Sequence, residues 1–294
     1  MAIKVFADTA SNLFPSLLKE KGVDITVIKM PLQVGRETFM CYEEDADIED
    51  LSKRFYEAID KKEQVRTSLI NPFTFTEAFK PEVDKGNEII CFVMAKGISG
   101  TYEKAVEAAN QINEEVGKNV VRVIDTATAG LGEGLQALHA YELVKADKSL
   151  DEIEAEANEF RWKVRSEFTV DDIRFLSSTG RVKPVVARIA NLMQIKVILR
   201  GSYESSIEMT GKAVGMMAAI KKLANQCKEH INKDIKQTVY ITHCNSLKFA
   251  SLLKRQLIEG GIKNIEIYPY DLITGSHVGP GCVALFYVGD NRDL

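Results

Sequence analysis

Along the first half of the chain, short apolar runs of strand length alternate with stretches whose apolar residues recur every three or four positions. Ile3–Ala7 reads as a β run that ends at Asp8, and the polar turn Thr9-Ala10-Ser11-Asn12 follows. Asp24–Met30 is a second β-rich run, closed by Pro31. Leu51, Phe55 and Ile59 share a spacing of four and predict a helix over Ile48–Ile59. Asn71-Pro72 is a helix start, because Asn caps well and Pro suits the first helical position. Glu88–Ala95 is continuously apolar after its first residue, the pattern of a strand covered on both faces. The turn Lys96-Gly97-Ile98-Ser99-Gly100 leads into a helix with Tyr102, Val106 and Ala109 on one side. Val120–Ile124 is a further strand and again meets an acid, Asp125. Repeated strand–turn–helix units predict a parallel sheet with helices on its faces.

The pattern changes after Ser149–Val164, a charged helix placed to bridge two domains. Phe168–Phe175 is β-rich, Thr179-Gly180-Arg181 is a turn, and a helix is expected over Pro184–Met193. Ile195–Leu199 and Ser205–Met209 flank Arg200-Gly201-Ser202 as the arms of a hairpin. Met216, Ile220, Leu223, Cys227 and Ile231 form a helical stripe. Val239–Thr242, Ile265–Tyr270 and Val283–Val288 read as strands, with a helix over Ser246–Ile258. Hairpins mixed with crossovers predict a mixed sheet. The expected architecture is α/β in two domains: residues 1–162 around a parallel sheet and residues 163–294 around a mixed one, with the boundary near 160–166.

Composition narrows the classes. A chain of 294 residues with 45% apolar and 27% charged side chains is that of a globular protein. Its net charge of −4, with acids and bases interleaved, argues against a nucleic-acid coat. No apolar run approaches the ~18 residues that cross a bilayer. The N-terminus meets Lys4 and Asp8 early and lacks a signal-peptide core, so a cytoplasmic location is expected. Cys41, Cys91, Cys227, Cys244 and Cys282 are scattered singly, which predicts free, buried thiols.

Common catalytic fingerprints fail by spacing. Gly130-Leu131-Gly132-Glu133-Gly134 has Leu135 where a dinucleotide motif needs its last glycine. Gly211-Lys212 lacks a glycine at Ser206 and a hydroxyl at Ala213, so no P-loop is expected. The four histidines stand apart, so no metal site and no cofactor are expected. Gly97-Ile98-Ser99-Gly100-Thr101 nearly matches a nucleophile elbow, with Thr101 in place of the last glycine.

Three stretches carry chemistry that local structure does not demand: Arg66-Thr67-Ser68, the Gly97–Thr101 turn, and Gly275-Ser276-His277-Val278-Gly279-Pro280-Gly281. Taken singly, each has a purely structural reading as a cap or a bend. Together they suit an anion. Thr67 and Ser99 are hydroxyl donors beside helix starts, and His277 is a third donor that becomes a charge when protonated. This describes a carboxylate or phosphate clamp.

At these residues the sequence resembles the DegV family, which includes the fatty-acid-binding subunits of bacterial fatty acid kinase. The resemblance covers nearly the whole chain. It runs through Asp8-Thr9, Thr67-Ser68, Gly97-Ile98-Ser99-Gly100-Thr101-Tyr102, Ile124-Asp125-Thr126 with Gly132 and Gly134, Leu176 to Gly180-Arg181-Val182, and His277-Val278-Gly279-Pro280-Gly281. The chain departs from the family pattern at Ile70, Asn71, Ala95, Lys96, Thr179 and Val197. The resemblance implies a DegV-like fold of two α/β domains and a long-chain fatty acid in a buried tunnel. Its carboxylate would be held at Thr67, Ser68, Gly97, Ser99, Gly100 and His277. It further implies that a separate ATP-binding kinase subunit phosphorylates that carboxylate for phospholipid synthesis. Arg181 follows the turn Thr179-Gly180, which is expected to be exposed, so it is expected on the face that meets this partner and not against the carboxylate. The bound fatty acid would be a ligand, not a cofactor, and peripheral membrane contact would serve lipid exchange. The alternative reading is a serine hydrolase or acyltransferase that uses Ser99 and His277, with Asp8 or Asp125 as third member. A third is a regulatory two-domain protein with an empty cleft.

Overall fold

The computed structural model describes residues 2–42, 48–183, 186 and 194–292. The first half runs β1 (Ile3–Asp8), a 3-10 turn (Thr9–Ser11), α1 (Pro15–Lys21), β2 (Ile25–Ile28), β3 (Pro31–Val34), β4 (Glu37–Met40), α2 (Ile48–Asp60), β5 (Val65–Thr67), α3 (Pro72–Asp84), β6 (Glu88–Val93), α4 (Thr101–Val116), β7 (Val121–Asp125), α5 (Leu131–Lys145) and α6 (Leu150–Phe160). The expected parallel sheet forms in the order β2-β1-β6-β7. Its central strand β6 is buried from Ile89 to Val93, as its unbroken apolar run requires. Asn71 starts α3 as expected: its side chain accepts from the Thr74 N–H at 2.9 Å, and Pro72 follows.

Three features differ from expectation. Pro31 opens a strand instead of only closing one, and β4-β3-β5 form a small antiparallel sheet. Pro tolerates the first position of a strand, where its missing N–H is not needed. The buried face of α4 is Thr101, Ala105, Ala108, Ala109 and Ile112, with Tyr102 and Val106 only half-buried. Small residues there let α4 approach α3 and β7 closely. The charged helix expected to bridge two domains is α6, which ends at Phe160, four residues short of the expected Val164, and packs on α5, β6 and β7.

The second half runs β8 (Val164–Thr169), α7 (Arg174–Ser178), β9 (Ile195–Gly201), β10 (Ile207–Val214), α8 (Met216–His230), β11 (Val239–His243), α9 (Leu247–Glu259), β12 (Ile265–Pro269), α10 (Leu272–Val278) and β13 (Val283–Val288). Six strands pair in the order β10-β9-β8-β13-β11-β12. Only the β11–β12 pair is parallel, so the sheet is mixed as expected. The β run expected at Phe168–Phe175 is displaced: the strand is β8, and Arg174–Ser178 are helical. Its polar stretch Arg165-Ser166-Glu167 disguised it. Those residues are buried, with Arg165 Nε 3.3 Å from Glu167 Oε1 and the Tyr287 hydroxyl donating to the same oxygen at 3.1 Å. The helix expected over Pro184–Met193 lies outside the described residues, apart from the helical, buried Val186.

One apolar core spans both halves. Phe6, Phe92 and Leu131 belong to the same cluster as Phe168, Leu199 and Phe286. Helix α5 is the shared wall, packing on β1 and β6 and also on β8 and β13. A second cluster covers the other face of the six-stranded sheet, under α8 and α9, with Ala219, Leu223 and Leu253. All five cysteines are free and buried.

Candidate functional site

The seam between the halves leaves a cavity of about 170 Å³. Thr67 and Ser68 reach it from the end of β5, Ser99 and Gly100 from the turn before α4, and His277 from the last turn of α10. These stretches lie far apart in sequence and meet because α10 packs on β5 and the β6–α4 turn closes the lining beside them. Gly97 does not line the cavity. Its Cα is packed on the carbonyl of Ser205, and any side chain there would collide with that oxygen. Gly97 therefore shapes the turn that presents Ser99.

His277 sits in helix, not in the open glycine turn expected from sequence. Asp271 caps α10 by accepting from the Thr274 N–H at 2.7 Å. The helix stops at Gly279, whose φ of +75° is left-handed and whose Cα lies against the ring of Phe175. The ring Nε2 of His277 is 3.0 Å from Thr67 Oγ1, a bond between the two halves. Burial, helped by the nearby Arg181 charge, pushes the imidazole down to about 4. Burial therefore favours the neutral imidazole at physiological pH, so of the two roles expected from sequence, donor and charge when protonated, His277 has the first. Its Nδ1 is buried with no partner.

Arg181, expected away from the carboxylate site, is instead the cation that lines this cavity, because the turn after Leu176 folds back onto the Ile98 carbonyl. Its Nε donates to that carbonyl at 3.3 Å and its Nη1 to the carbonyl of Thr179. Burial lowers its pKa from the usual value. Ser99 Oγ is 2.9 Å from Thr101 Oγ1 and accepts from the Thr101 N–H at 3.3 Å, which ties it to the start of the sixteen-residue α4. Aligned N–H groups at that helix start give the site a partial positive charge.

The remaining walls are apolar except for Thr274. Met30, Met94, Leu176, Ile207 and Ile273 enclose the cavity below the polar mouth. A smaller chamber of about 50 Å³ adjoins it, sharing Ile98, Ile207, Thr274 and Val278 and bounded further in by Phe168, Tyr270 and Phe286. The site is thus polar at its mouth and mainly apolar inward, where Thr128, Ser166, Ser206 and Thr274 interrupt the apolar lining. Sequence reading missed these walls, since each residue looks like ordinary core in its own element.

A hydrolytic relay is not formed. Ser99 is bonded to Thr101 and His277 to Thr67. Asp8 accepts from the Ala10 and Met94 N–H groups, and burial raises it to about 6. Asp125 accepts from the Ser205 hydroxyl at 2.7 Å and from the Ala127 N–H at 3.0 Å. Both acids are engaged away from His277. Among the described residues, no group of three His, Cys, Asp or Glu is arranged to hold a metal, and no helix is long and apolar enough to cross a membrane.

A family model described as "Uncharacterised protein, DegV family" matches residues 2–290. The chain belongs to the DegV family. A DegV domain-containing protein of Clostridium perfringens is 29% identical over 98% of both chains. A DegV family protein of Eubacterium eligens, solved loaded with heptadecanoic acid, superposes with a TM-score of 0.82 at 21% identity, covering 98% of this chain and 100% of that one. The fatty acid kinase B3 protein of Streptococcus pneumoniae, solved loaded with linoleic acid, gives 0.80 at 18% identity, covering 99% and 100%. These likenesses show that the DegV fold, parallel sheet and mixed sheet together, extends over the whole chain.

Proposed function

We propose that this DegV protein binds a long-chain fatty acid at the seam and presents its carboxylate to a separate ATP-binding kinase subunit. The observation that carries the proposal is the convergence of Thr67, Ser68, Ser99, Gly100 and His277 on one cavity whose interior turns mainly apolar. The carboxylate sits at the mouth. Hydroxyls and the neutral imidazole hydrogen-bond it there, with the Arg181 charge and the α4 N-terminus alongside. A buried carboxylate is costly without donors, and this mouth concentrates them. The acyl chain runs inward past Ile98, Ile207 and Val278. Loading a long chain spreads these walls, and each buried CH₂ returns about 0.8 kcal/mol. Ser68 and Gly100 are exposed, so a second protein can reach the headgroup from solvent. The fatty-acid-loaded Eubacterium and Streptococcus structures, whose fold this chain shares, support the reading.

The test separates binding from presentation. With a fatty acid kinase subunit and ATP, Ser99→Ala and His277→Ala are expected to retain co-purified lipid. Acyl phosphate formation should fall by about 10²-fold, the effect of a headgroup displaced by ~1 Å. Equal loss of lipid and turnover would contradict the presenter role.

A further inference from the structure

We infer that Asn12 is a positioning residue for the headgroup site: by gripping the chain on both sides of Tyr270 it sets His277 against Thr67. The inference rests on the headgroup reading above for its consequence, but its geometry stands apart from it.

Thr67, Ser68 and Ser99 belong to the first half of the chain, and His277 to the second. The 3.0 Å contact between Thr67 and His277 holds only if α10 is fixed against the first half to within tenths of an ångström. Helix α10 has seven residues, fewer than an isolated helix needs to persist in water. Its placement must come from outside. Asn12 is fully buried and left-handed, with φ 61° and ψ 20°, a conformation that Asn adopts more readily than most residues. Both ends of its amide are used. Nδ2 donates to the Pro269 carbonyl at 3.1 Å, and Oδ1 accepts from the Asp271 N–H. Pro269 ends β12 and Asp271 caps α10, so one side chain fixes the exit of the strand and the entry of the helix.

Asn12 is itself anchored on the other half of the site. Its N–H bonds to the Thr9 carbonyl at 3.3 Å, and the Thr9 hydroxyl bridges the end of β2 by donating to Ile28 O at 3.2 Å and accepting from the Met30 N–H at 2.8 Å. Met30 lines the cavity. The 3-10 turn between Thr9 and Asn12 packs directly on α10. A continuous set of buried hydrogen bonds thus runs from β2 through Thr9 and Asn12 to the helix that carries His277.

The test reads His277 directly. In ligand-free protein with ¹⁵N-labelled histidine, Asn12→Gly keeps the left-handed backbone and removes the amide. The His277 Nε2 signal is expected to leave its Thr67-bonded position in a protein that still melts cooperatively. Asp271→Asn, which preserves the backbone N–H that Asn12 holds, is expected to leave that signal in place. In the lipid-loaded protein, Asn12→Gly should retain bound fatty acid and lose about 10²-fold in kinase-dependent phosphorylation. If Asn12→Gly does not fold, Asn12→Ala serves, since it also removes both contacts of the amide. An unchanged His277 signal in the folded variant overturns the inference. A displaced His277 with undiminished phosphorylation upholds the role of Asn12 and contradicts the headgroup reading instead.

Discussion

In the proposed headgroup site, His277 and Arg181 have different roles. The imidazole is held neutral by burial and contributes direction; the guanidinium contributes charge. The pH dependence follows with a definite sign. An unfolded histidine protonates near its ordinary value of 6.5, whereas His277 in the fold resists to about 4. Acidification between those values protonates the unfolded chain first, so the contribution of His277 to stability is full above 6.5 and is lost as pH falls toward 4. A side-chain NMR titration is expected to show His277 neutral at pH 6, and a midpoint near 6.5 would contradict this. Asp271 behaves in the opposite sense. Burial raises its carboxyl to about 8, with the Asp8 charge adding, and its Oδ2 has no partner. Between about pH 4 and pH 8 the unfolded chain has lost this proton while the native state keeps it, so stability falls across that window as pH rises. Asp271→Asn should flatten that slope, so that the fall in stability between pH 4 and pH 8 shrinks relative to the parent. Denaturant melts at the two pH values provide the check.

At the scale of elements, the site depends on where α10 stops and how β8 is buried. Gly279→Ala would place a methyl against the Phe175 ring at a φ of +75°, and should cost about 1–3 kcal/mol. A melt within experimental error of the parent would contradict that packing. In β8, removing the Glu167 carboxylate strands the buried Arg165, so Glu167→Ala should cost about 3–5 kcal/mol. These same elements mark what was legible in the sequence. β6 and α3 were readable because an apolar run and an Asn-Pro start have few alternatives. β8 was not, because a buried ion pair looks polar along the chain and is neutralised only by its partner. α10 was not, because glycines at 275, 279 and 281 read as turn until Asp271 and Asn12 are seen holding the helix. Thr67 and Ser68 stood out as hydroxyls ahead of the Asn71-Pro72 helix start, and Ser99 and His277 as a hydroxyl and an imidazole between glycines; their shared fitness for an anion grouped Thr67, Ser99 and His277, and the family resemblance agreed. The apolar walls and the place of Arg181 in the cavity arise only when separate elements meet.

For the whole molecule, the decisive feature is the core shared between the halves. Because Phe6, Phe92 and Phe286 lie in one cluster and α5 packs on both sheets, unfolding one half exposes the core of the other. Calorimetry should show a single transition, and two well-separated transitions would contradict a shared core. The seam that joins the halves is also where the cavity lies, so bound lipid should stabilise the whole fold and not one sheet. Everything proposed for the mouth and the chamber requires that the seam hold a fatty acid. Native mass spectrometry of the protein, followed by analysis of its organic extract, tests it most directly. The account predicts one fatty acid per chain, either retained on purification or taken up stoichiometrically on addition. A chain that carries no lipid and takes up none of the long-chain fatty acids offered would contradict it.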